Sequence, residues 1–500
     1  PLPDNLTFDN VTITNYSDVY YISTLNVVNT LTIDQIAHVG FNGNVITDNF
    51  VINNNGWLYN ESDASITYNS LNWTGGKITD NGGTFNVVSD GGSLTIPAGS
   101  TLDANVPRSY TGVTVNGLLT HTANWSSETY KLNYTVSGDL LINSSGSINV
   151  DSRGYGRGQG PGAGTGGTEG AGGGAHAGLG GDGRTRAGGA VTYGDYDTPT
   201  TFGSGGGDYN GYAGYGGGAI KLSVGGTLTF NGIISANGGY GNSDTYHTSG
   251  GGAGGSIWIN AGTLTGTSNI TAYGGEARDD DRDGGGGGGG RIALYYTARS
   301  FNNNQIFAHG GKPLGWDSAT QKGGAGTVYM KATSATNGDL IINNDEITWQ
   351  SSRSKVQKTP LPDNLTFDNV TITNYSDINY ASTLNVVNSL TINYLSFITI
   401  SNTVNTTELN VLNNGWLYNE STANITYDNI NWVGGKITDN GGNMPLVNNG
   451  VALTIPETST LESNVPRSYT SVLVDGTLTH SENTTTEANK INYLNLRRIY

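Results

Sequence analysis

The chain repeats itself, and the repeat tolerates no gap. PLPDNLTFDNVTITNYSD stands at Pro1 and returns letter for letter at Pro360. The same offset of 359 residues joins NNGWLYNES at Asn54 and Asn413, GGKITDNGG at Gly75 and Gly434, and NVPRSYT at Asn105 and Asn464. Of the first 134 positions, 82 are identical in the second copy. A register held this far without insertion means that loop lengths are constrained as firmly as core residues. Folds in which each unit of chain lies directly on the previous one impose that constraint. The chain therefore divides into a first repeat copy (1–137), a glycine-rich segment (138–359) and a partial second copy of 1–134 (360–500).

A shorter period runs through the middle segment. Ala236-Asn-Gly-Gly239, Ala272-Tyr-Gly-Gly275 and Ala308-His-Gly-Gly311 are spaced 36 and 36, and between them lie the alternations AIKLSV, SIWINA, RIALYY and TVYMKA. Their second residues, Ile220, Ile257, Ile292 and Val328, step by 37, 35 and 36. The unit reads as strand, turn, strand, glycine loop. GDLLINSSGSINV at Gly138 is an earlier member whose loop has grown to cover about 153–218. Residues 1–137 show a fainter period near 21, in short Val/Ile/Thr/Tyr-rich strands broken by Asn-Gly and Gly-Gly turns. No stretch carries an apolar i, i+3, i+4, i+7 pattern of helical length. The expected fold is all-β: a parallel β-helix, or β-solenoid, with long glycine-rich loops. Its core would be a narrow column, so 35% hydrophobic residues suffice. The competing arrangement has a β-sandwich domain on each side of a solenoid.

The strings GGGAIKLSVGGTLTFNGIISANGG, GGGAGGSIWINAGTLTGTSNITAYGG, GGGGGGGRIALYY and GGAGTVYMK resemble the glycine-rich β-helix repeats of very large bacterial and archaeal cell-surface proteins, adhesin-like proteins without established chemistry. The resemblance covers about residues 138–335 and implies an exported, non-enzymatic surface protein.

Charge narrows the partners. Forty acidic against 23 basic residues give a net charge of −17, and no basic cluster is longer than Arg497-Arg498. Nucleic acid, which needs a basic face, is not an expected partner. Cysteine is absent and the six histidines are scattered, so structural zinc sites are not expected. No apolar run approaches the roughly 18 residues of a membrane span. Without an initiating Met or a signal peptide, the chain reads as a mature product or a segment of something longer.

Four features are candidate sites. Asp279, Asp281 and Asp283, followed by Gly284, alternate like the start of a calcium loop, although Gly290 stands where its closing Glu belongs. A solvated acidic loop tip is the plainer reading; Asp195, Asp197 and Asp208 are further ligands if the large loop folds back. Calcium is thus the one cofactor considered, and none is required. Sixteen Asn-x-Ser/Thr sequons follow: Asn5, Asn10, Asn15, Asn60, Asn72, Asn124, Asn133, Asn143, Asn269, Asn364, Asn369, Asn374, Asn405, Asn419, Asn424 and Asn483. Several recur between the copies, as glycan acceptors on surface loops would. Trp57 and Trp416 in NNGWLYNES are candidates for stacking on sugar rings, or else core or corner residues. The glycine loop 154–218 has no following helix to make it a phosphate cradle. It is expected to lie along the flank or reach a neighbouring chain through Tyr155, Tyr193, Tyr196, Tyr209, Tyr212 and Tyr215, or to stay disordered.

No clustered carboxylates or paired base suggest catalysis. The expectation is a structural subunit of an extracellular filament, sheath or appendage that polymerises head to tail with itself and carries covalent glycans. The alternatives are a non-polymerising adhesin stalk or carbohydrate-binding module and, more remotely, a β-helix polysaccharide-degrading enzyme.

Overall fold

The alternation of Val, Ile, Thr and Tyr in the first copy suits a pleated backbone. It produces β1 (Leu6–Ile13), β2 (Asp18–Tyr21), β3 (Leu25–Ile33), β4 (His38–Phe41), β5 (Asn44–Asn53), β6 (Trp57–Asn60), β7 (Ser65–Thr74) and β8 (Lys77–Asp80). Strands adjacent in sequence do not pair. β1, β3, β5 and β7 line up in one sheet, while β2, β4, β6 and β8 line up in another. All of these pairs are parallel. The second copy repeats the arrangement, with Leu365–Thr373, Leu384–Ile392, Thr403–Leu412 and Asn424–Val433 side by side. The computed structural model describes residues 5–243, 248–278, 283–313, 320–345, 356–482, 491 and 493–494. Over these the chain is all-β, in several mostly parallel sheets; its one helical element is a 3-10 turn at Asn303–Gln305. The sandwich considered for the flanking copies requires antiparallel sheets, and both copies instead pair in parallel.

Parallel in-register pairing turns the sequence period into columns of like side chains. Val39, Leu58, Ile78, Leu102, Leu119, Ile148, Ile234, Ile270 and Ile306 are successive partners in one sheet. All nine are buried. At about 1.5–3 kcal/mol for each fully buried aliphatic side chain, such columns dominate the stabilising side of folding. Ile220, Ile257, Ile292 and Val328 form another, in the register their spacing predicts.

The corners of the first and second copies recur as well. Asn15-Tyr16, Gln35-Ile36 and Asn54-Asn55 each place two successive residues at positive φ, as do Asn374-Tyr375, Tyr394-Leu395 and Asn413-Asn414. Asn tolerates this left-handed conformation better than most residues, one reason the chain is rich in it.

The middle segment joins the second copy through a local reversal. Thr327–Ala332 pairs antiparallel with Asp339–Asn343, which then pairs in parallel with Leu365–Thr373. The apolar core divides at the same place, one cluster running from Tyr21 to Met330 and the other from Ala293 and Ala325 to Val472.

The glycine loops neither hang on the flank nor lie open; they pack into an interior of their own. Gly284–Gly290 are all buried. Along this run the backbone N–H groups address three neighbouring segments in rotation. Gly285 and Gly288 donate to Ala171 and Gly174 (2.9 and 2.8 Å), Gly286 and Gly289 to Gln321 and Gly324 (3.2 and 2.9 Å), and Gly287 and Gly290 to Gly275 and Ala272 (2.9 and 2.7 Å). A repeat of three is the signature of extended threads of the polyproline-II type, which have three residues per turn and no internal hydrogen bonds. Here each thread satisfies its backbone through its neighbours. The run also accepts bonds from Gly251, Gly254, Gly181, Gly178 and Gly311, so a hexagon of threads surrounds it. Glycine is required because the threads lie in backbone contact: a methyl on Gly287 would run into the Gly252 carbonyl, and one on Gly289 into that of Ala308. The enlarged loop 154–218 supplies one layer of this array, and the paired runs 236–241/250–255, 272–277/284–290 and 308–313/321–326 supply the rest.

Candidate functional site

The two candidate stacking tryptophans are half-buried, and each ring already has a tyrosine and a lysine against it. Trp57 lies on the outer side of β6, with Tyr59 stacked at 4.7 Å and 18° and the Lys77 ammonium 3.6 Å from its ring centroid. His38 meets it edge-on at 5.0 Å, and the indole N–H donates to Thr79 Oγ1 at 2.7 Å. Lys77 is held in place by Asp103 at 2.8 Å. Trp416 repeats every part: Tyr418 at 4.7 Å, Lys436 at 3.5 Å, Phe397 in place of His38, and Thr438 Oγ1 at 2.7 Å. Glu462, paired with Lys436, replaces Asp103. These contacts pack the outer face and occupy ring area that a stacked sugar would use.

The sequons divide by accessibility. Asn5, Asn10, Asn15, Asn72, Asn269 and Asn364 are exposed. Asn133, Asn143, Asn369, Asn374, Asn405 and Asn424 are half-buried, and several stack their amides on the neighbouring unit: Asn369 on Asp339 (2.8 Å), Asn374 on Asn343 (3.0 Å) and Asn405 on Asn385 (2.9 Å). Asn60 and Asn419 are fully buried, and Asn124 nearly so. A glycan replaces a hydrogen on Nδ2, and here that atom is committed. Asn60 Nδ2 donates to Asp80 Oδ1 (3.2 Å) and the Gly83 carbonyl (2.9 Å), and Asn419 does the same with Asp439 and Gly442. Asn124 Nδ2 donates to the Thr122 and Tyr130 carbonyls. These three are structural in the folded chain, and their sequons are incidental. Asn483 lies outside the described residues.

The kept Asn60 belongs to a buried ion pair that explains the NVPRSYT motif. Arg108 makes a fork on Asp80, Nε to Oδ2 at 2.8 Å and Nη2 to Oδ1 at 2.7 Å, and reaches the Gly83 carbonyl at 3.1 Å. Arg467 and Asp439 repeat the fork at 2.7 and 2.6 Å. The carboxylate raises the guanidinium pKa further in both copies. Bidentate geometry makes this pair tolerable in an interior, although the buried Asn60 and Asn419 Oδ1 atoms beside it have no hydrogen-bond partner.

Of the candidate calcium ligands, Asp279 and Asp281 lie outside the described residues. Asp283 is buried at the head of the glycine run, where its carbonyl accepts from the Arg184 N–H. Asp208 caps its own loop, accepting from the Gly211 and Ala213 N–H groups. Among the described residues no three His, Asp or Glu side chains gather as a metal would require.

The large loop closes on the rest of the molecule. Residues 193–202 cross the outer face of the middle sheet: Arg291 Nε donates to the Tyr193 carbonyl (2.9 Å), Tyr295 to the Asp197 carbonyl (3.0 Å) and Ser256 to the Thr201 carbonyl (2.5 Å). Tyr196 packs edge-on against Tyr329 and Phe367, both in the apolar cluster that continues into the second copy. Tyr193 bonds the Phe202 carbonyl at 2.7 Å. These tyrosines, read as interface residues, are internal fasteners.

Under this cover sit histidines held neutral. Burial pushes His121 down to about 4 and His176 to about 3. His176 joins Thr201 Oγ1 (2.9 Å) to the Gly254 carbonyl (2.8 Å), and His121 Nε2 accepts the Ala219 N–H while Nδ1 faces the Thr122 carbonyl. Each ring thus donates at one nitrogen and accepts at the other, a structural arrangement rather than a proton-transfer pair. Burial also lowers Lys322 to about 7, with its ammonium on the Asn344 carbonyl.

The exposed aromatic residues that sequence reading missed lie elsewhere. Trp125 is 60% exposed and Tyr240 58% exposed. Trp125 stacks on Tyr215 at 5.8 Å, and Arg157 lies 4.6 Å from the same tyrosine ring. Tyr215 and Tyr240 line a groove of about 460 Å³. Trp125 stands where the second copy has Thr484, a departure from the repeat that is the one signal visible in sequence. No protein-family model matches the chain, and neither a curated protein nor a solved structure does.

Proposed function

We propose that the chain is a structural protein of the cell exterior, its units wound as a parallel β-helix and stacked end to end into a filament, sheath or appendage. One observation carries this reading. The same 18 residues occupy two places in the stack and meet two environments. In the second copy Asp339–Asn343 pairs along Leu365–Thr373, and Phe367 is fully buried while Asp377 is 3% exposed. In the first copy no described strand pairs with the outer edge of β1; Phe8, the counterpart of Phe367, is 42% exposed, and Asp18 is exposed. Among the described residues the β1 edge therefore presents a surface whose complement this chain already contains, to be filled by a preceding unit from this chain or another. An open parallel edge is a template for further pairing, and a head-to-tail contact that does not close builds a filament.

On this reading a further unit seats on β1 and β2 as Asp339–Asn343 and Lys358 seat on the second copy. The tryptophans offered for an adhesin are already packed by Tyr59 and Lys77 and by Tyr418 and Lys436. The test is negative-stain electron microscopy with sedimentation of the full chain over a range of concentrations. Filaments or a concentration-dependent series, weakened by Thr12→Pro on the β1 edge, are expected. A monodisperse monomer at high concentration, indifferent to deletion of 360–500, contradicts the proposal.

A further inference from the structure

The groove beside Trp125 is built from three separate parts of the chain, and its chemistry is unlike the rest of the surface. Arg157 and Tyr215 come from the enlarged glycine loop, Gly239, Tyr240 and Asn242 from the next glycine run, and Arg278 from the one after. The floor is bare because Gly239 has no side chain; a methyl there would press on Ser152 Oγ and the Tyr215 backbone. Ser152, at the rim, holds φ at 57° and is fixed by its N–H to the Asn237 carbonyl. Non-glycine residues in that region are strained, and such strain collects where a surface has to be shaped.

Among the described residues lining the groove the charged side chains are both basic, Arg157 and Arg278. Asp279, Asp280 and Asp281, which follow Arg278 in sequence, lie outside the described residues. Arg157 uses only Nε, to the Ala213 carbonyl at 3.1 Å, so its terminal nitrogens have no protein acceptor among the described residues. Asp208, the near carboxylate, is committed to the Gly211 and Ala213 N–H groups. Arg278 is exposed and makes no side-chain bond among the described residues. Glu276, two residues away, is paired with Lys312 at 3.3 Å. Two guanidinium groups without a carboxylate partner among the described residues thus stand beside two tyrosine rings, Arg157 against that of Tyr215, with the wider aromatic face of Trp125 alongside.

We propose that this groove binds a sugar acid, one hexuronate unit of an acidic polysaccharide. The apolar C–H face of a pyranose is attracted to the electron-rich face of an aromatic ring, which Tyr240 and Trp125 present. The carboxylate takes the planar fork of Arg278 or Arg157, and the hydroxyls take Asn242 and Ser152. A volume of about 460 Å³ lies in the range of small-ligand sites. A single nucleic acid strand would stack its bases on the same rings, and the titration below separates the two polyanions. The assignment is independent of whether the chain polymerises. Since Trp125 has no aromatic counterpart in the second copy, it gives one site per chain.

The test is calorimetric titration of the full chain with hexagalacturonate at low salt, beside a neutral hexaose of galactose and a six-residue oligothymidylate. Binding of hexagalacturonate at least about tenfold tighter than either comparator is expected, falling as ionic strength rises. Tyr240→Ala and Arg278→Gln, both at exposed side chains, should each weaken it by about fivefold or more without moving the thermal transition. Absence of hexagalacturonate binding, equal binding of the neutral sugar, preference for the oligothymidylate, or wild-type affinity in both variants would each overturn the assignment.

Discussion

Gly284–Gly290 and Thr403–Leu412 both lie inside the molecule, yet they fill its interior by opposite means. The strand turns Val404, Leu409 and Val411 inward and leaves alternate residues outside. Its position depends on side-chain volume, and its backbone bonds run to two neighbours in one plane. The glycine run has no side chains to place; its N–H groups address three neighbours in turn, and its carbonyls accept from three others. The strand is specified by what it carries, the run by what it lacks. A strand core can absorb a change of one methylene with local repacking, whereas backbone contact leaves no slack for even one methyl.

The comparison is broken most directly by adding that methyl. Gly287→Ala should destabilise the middle segment by about 4 kcal/mol or more, while Leu409→Ala, which deletes three heavy atoms from a packed column, should cost about 2–5 kcal/mol. Chemical denaturation of each variant measures both. A Gly287→Ala protein within about 1 kcal/mol of the parent would mean that the threads are not in contact.

The buried fork offers a control that both repeat copies share. Arg108→Met and Arg467→Met each strand a buried carboxylate, and each should cost about 3–5 kcal/mol. The two sites share the carboxylate fork and the glycine carbonyl, and differ in that Asp90 also lies 3.6 Å from Arg108 where the second copy has Asn449. That exposed pair adds little, so the costs should agree within about 1 kcal/mol, and a larger difference would show that the copies are not equivalent in stability.

Acid should separate the regions. His121 and His176 are neutral when folded, with pKa values of about 4 and about 3, below the ordinary 6.5. Between these limits the unfolded chain binds more protons than the folded one, so stability falls as pH drops from 6.5 toward 4. The loss approaches about 3 kcal/mol per histidine, and the full contribution is present above pH 6.5. The described part of the second copy holds only His480, which is exposed. Thermal melts from pH 7 to pH 4 should therefore show the glycine region losing stability first. A uniform acid response along the chain would contradict the assignment of both histidines.

The smallest effects belong to the outer face. Trp57→Ala and Trp416→Ala should each cost about 1–2 kcal/mol through loss of the Lys–Trp–Tyr stack. Neither should alter binding to hexagalacturonate, measured by the same titration.

How much of this was legible depends on where the information resides. Parallel register was visible, because Ile220, Ile257, Ile292 and Val328 recur at a period that only stacking explains. Burial of Asn60 was legible in principle: in Trp57-Leu58-Tyr59-Asn60 the two-residue alternation puts Asn60 on the side of Leu58. The sequon drew attention away from that pattern. The glycine array was not legible, because a composition that suits disorder also suits a packed array of threads. What separates them is the set of neighbours, and Gly174, Ala272 and Gln321 are far from Gly284–Gly290 in sequence. The groove was hidden for the same reason, with Trp125 and Tyr215 ninety positions apart.

Backbone amide exchange on the full native chain tests the central claim, that the glycine-rich segment is a hydrogen-bonded interior rather than a set of loops. Mass-spectrometric exchange at neutral pH should find peptides covering 250–255, 284–290 and 321–326 as protected as those covering Leu384–Ile392 and Thr403–Leu412. Complete exchange of the glycine peptides within seconds, while the strands stay protected, would contradict the account.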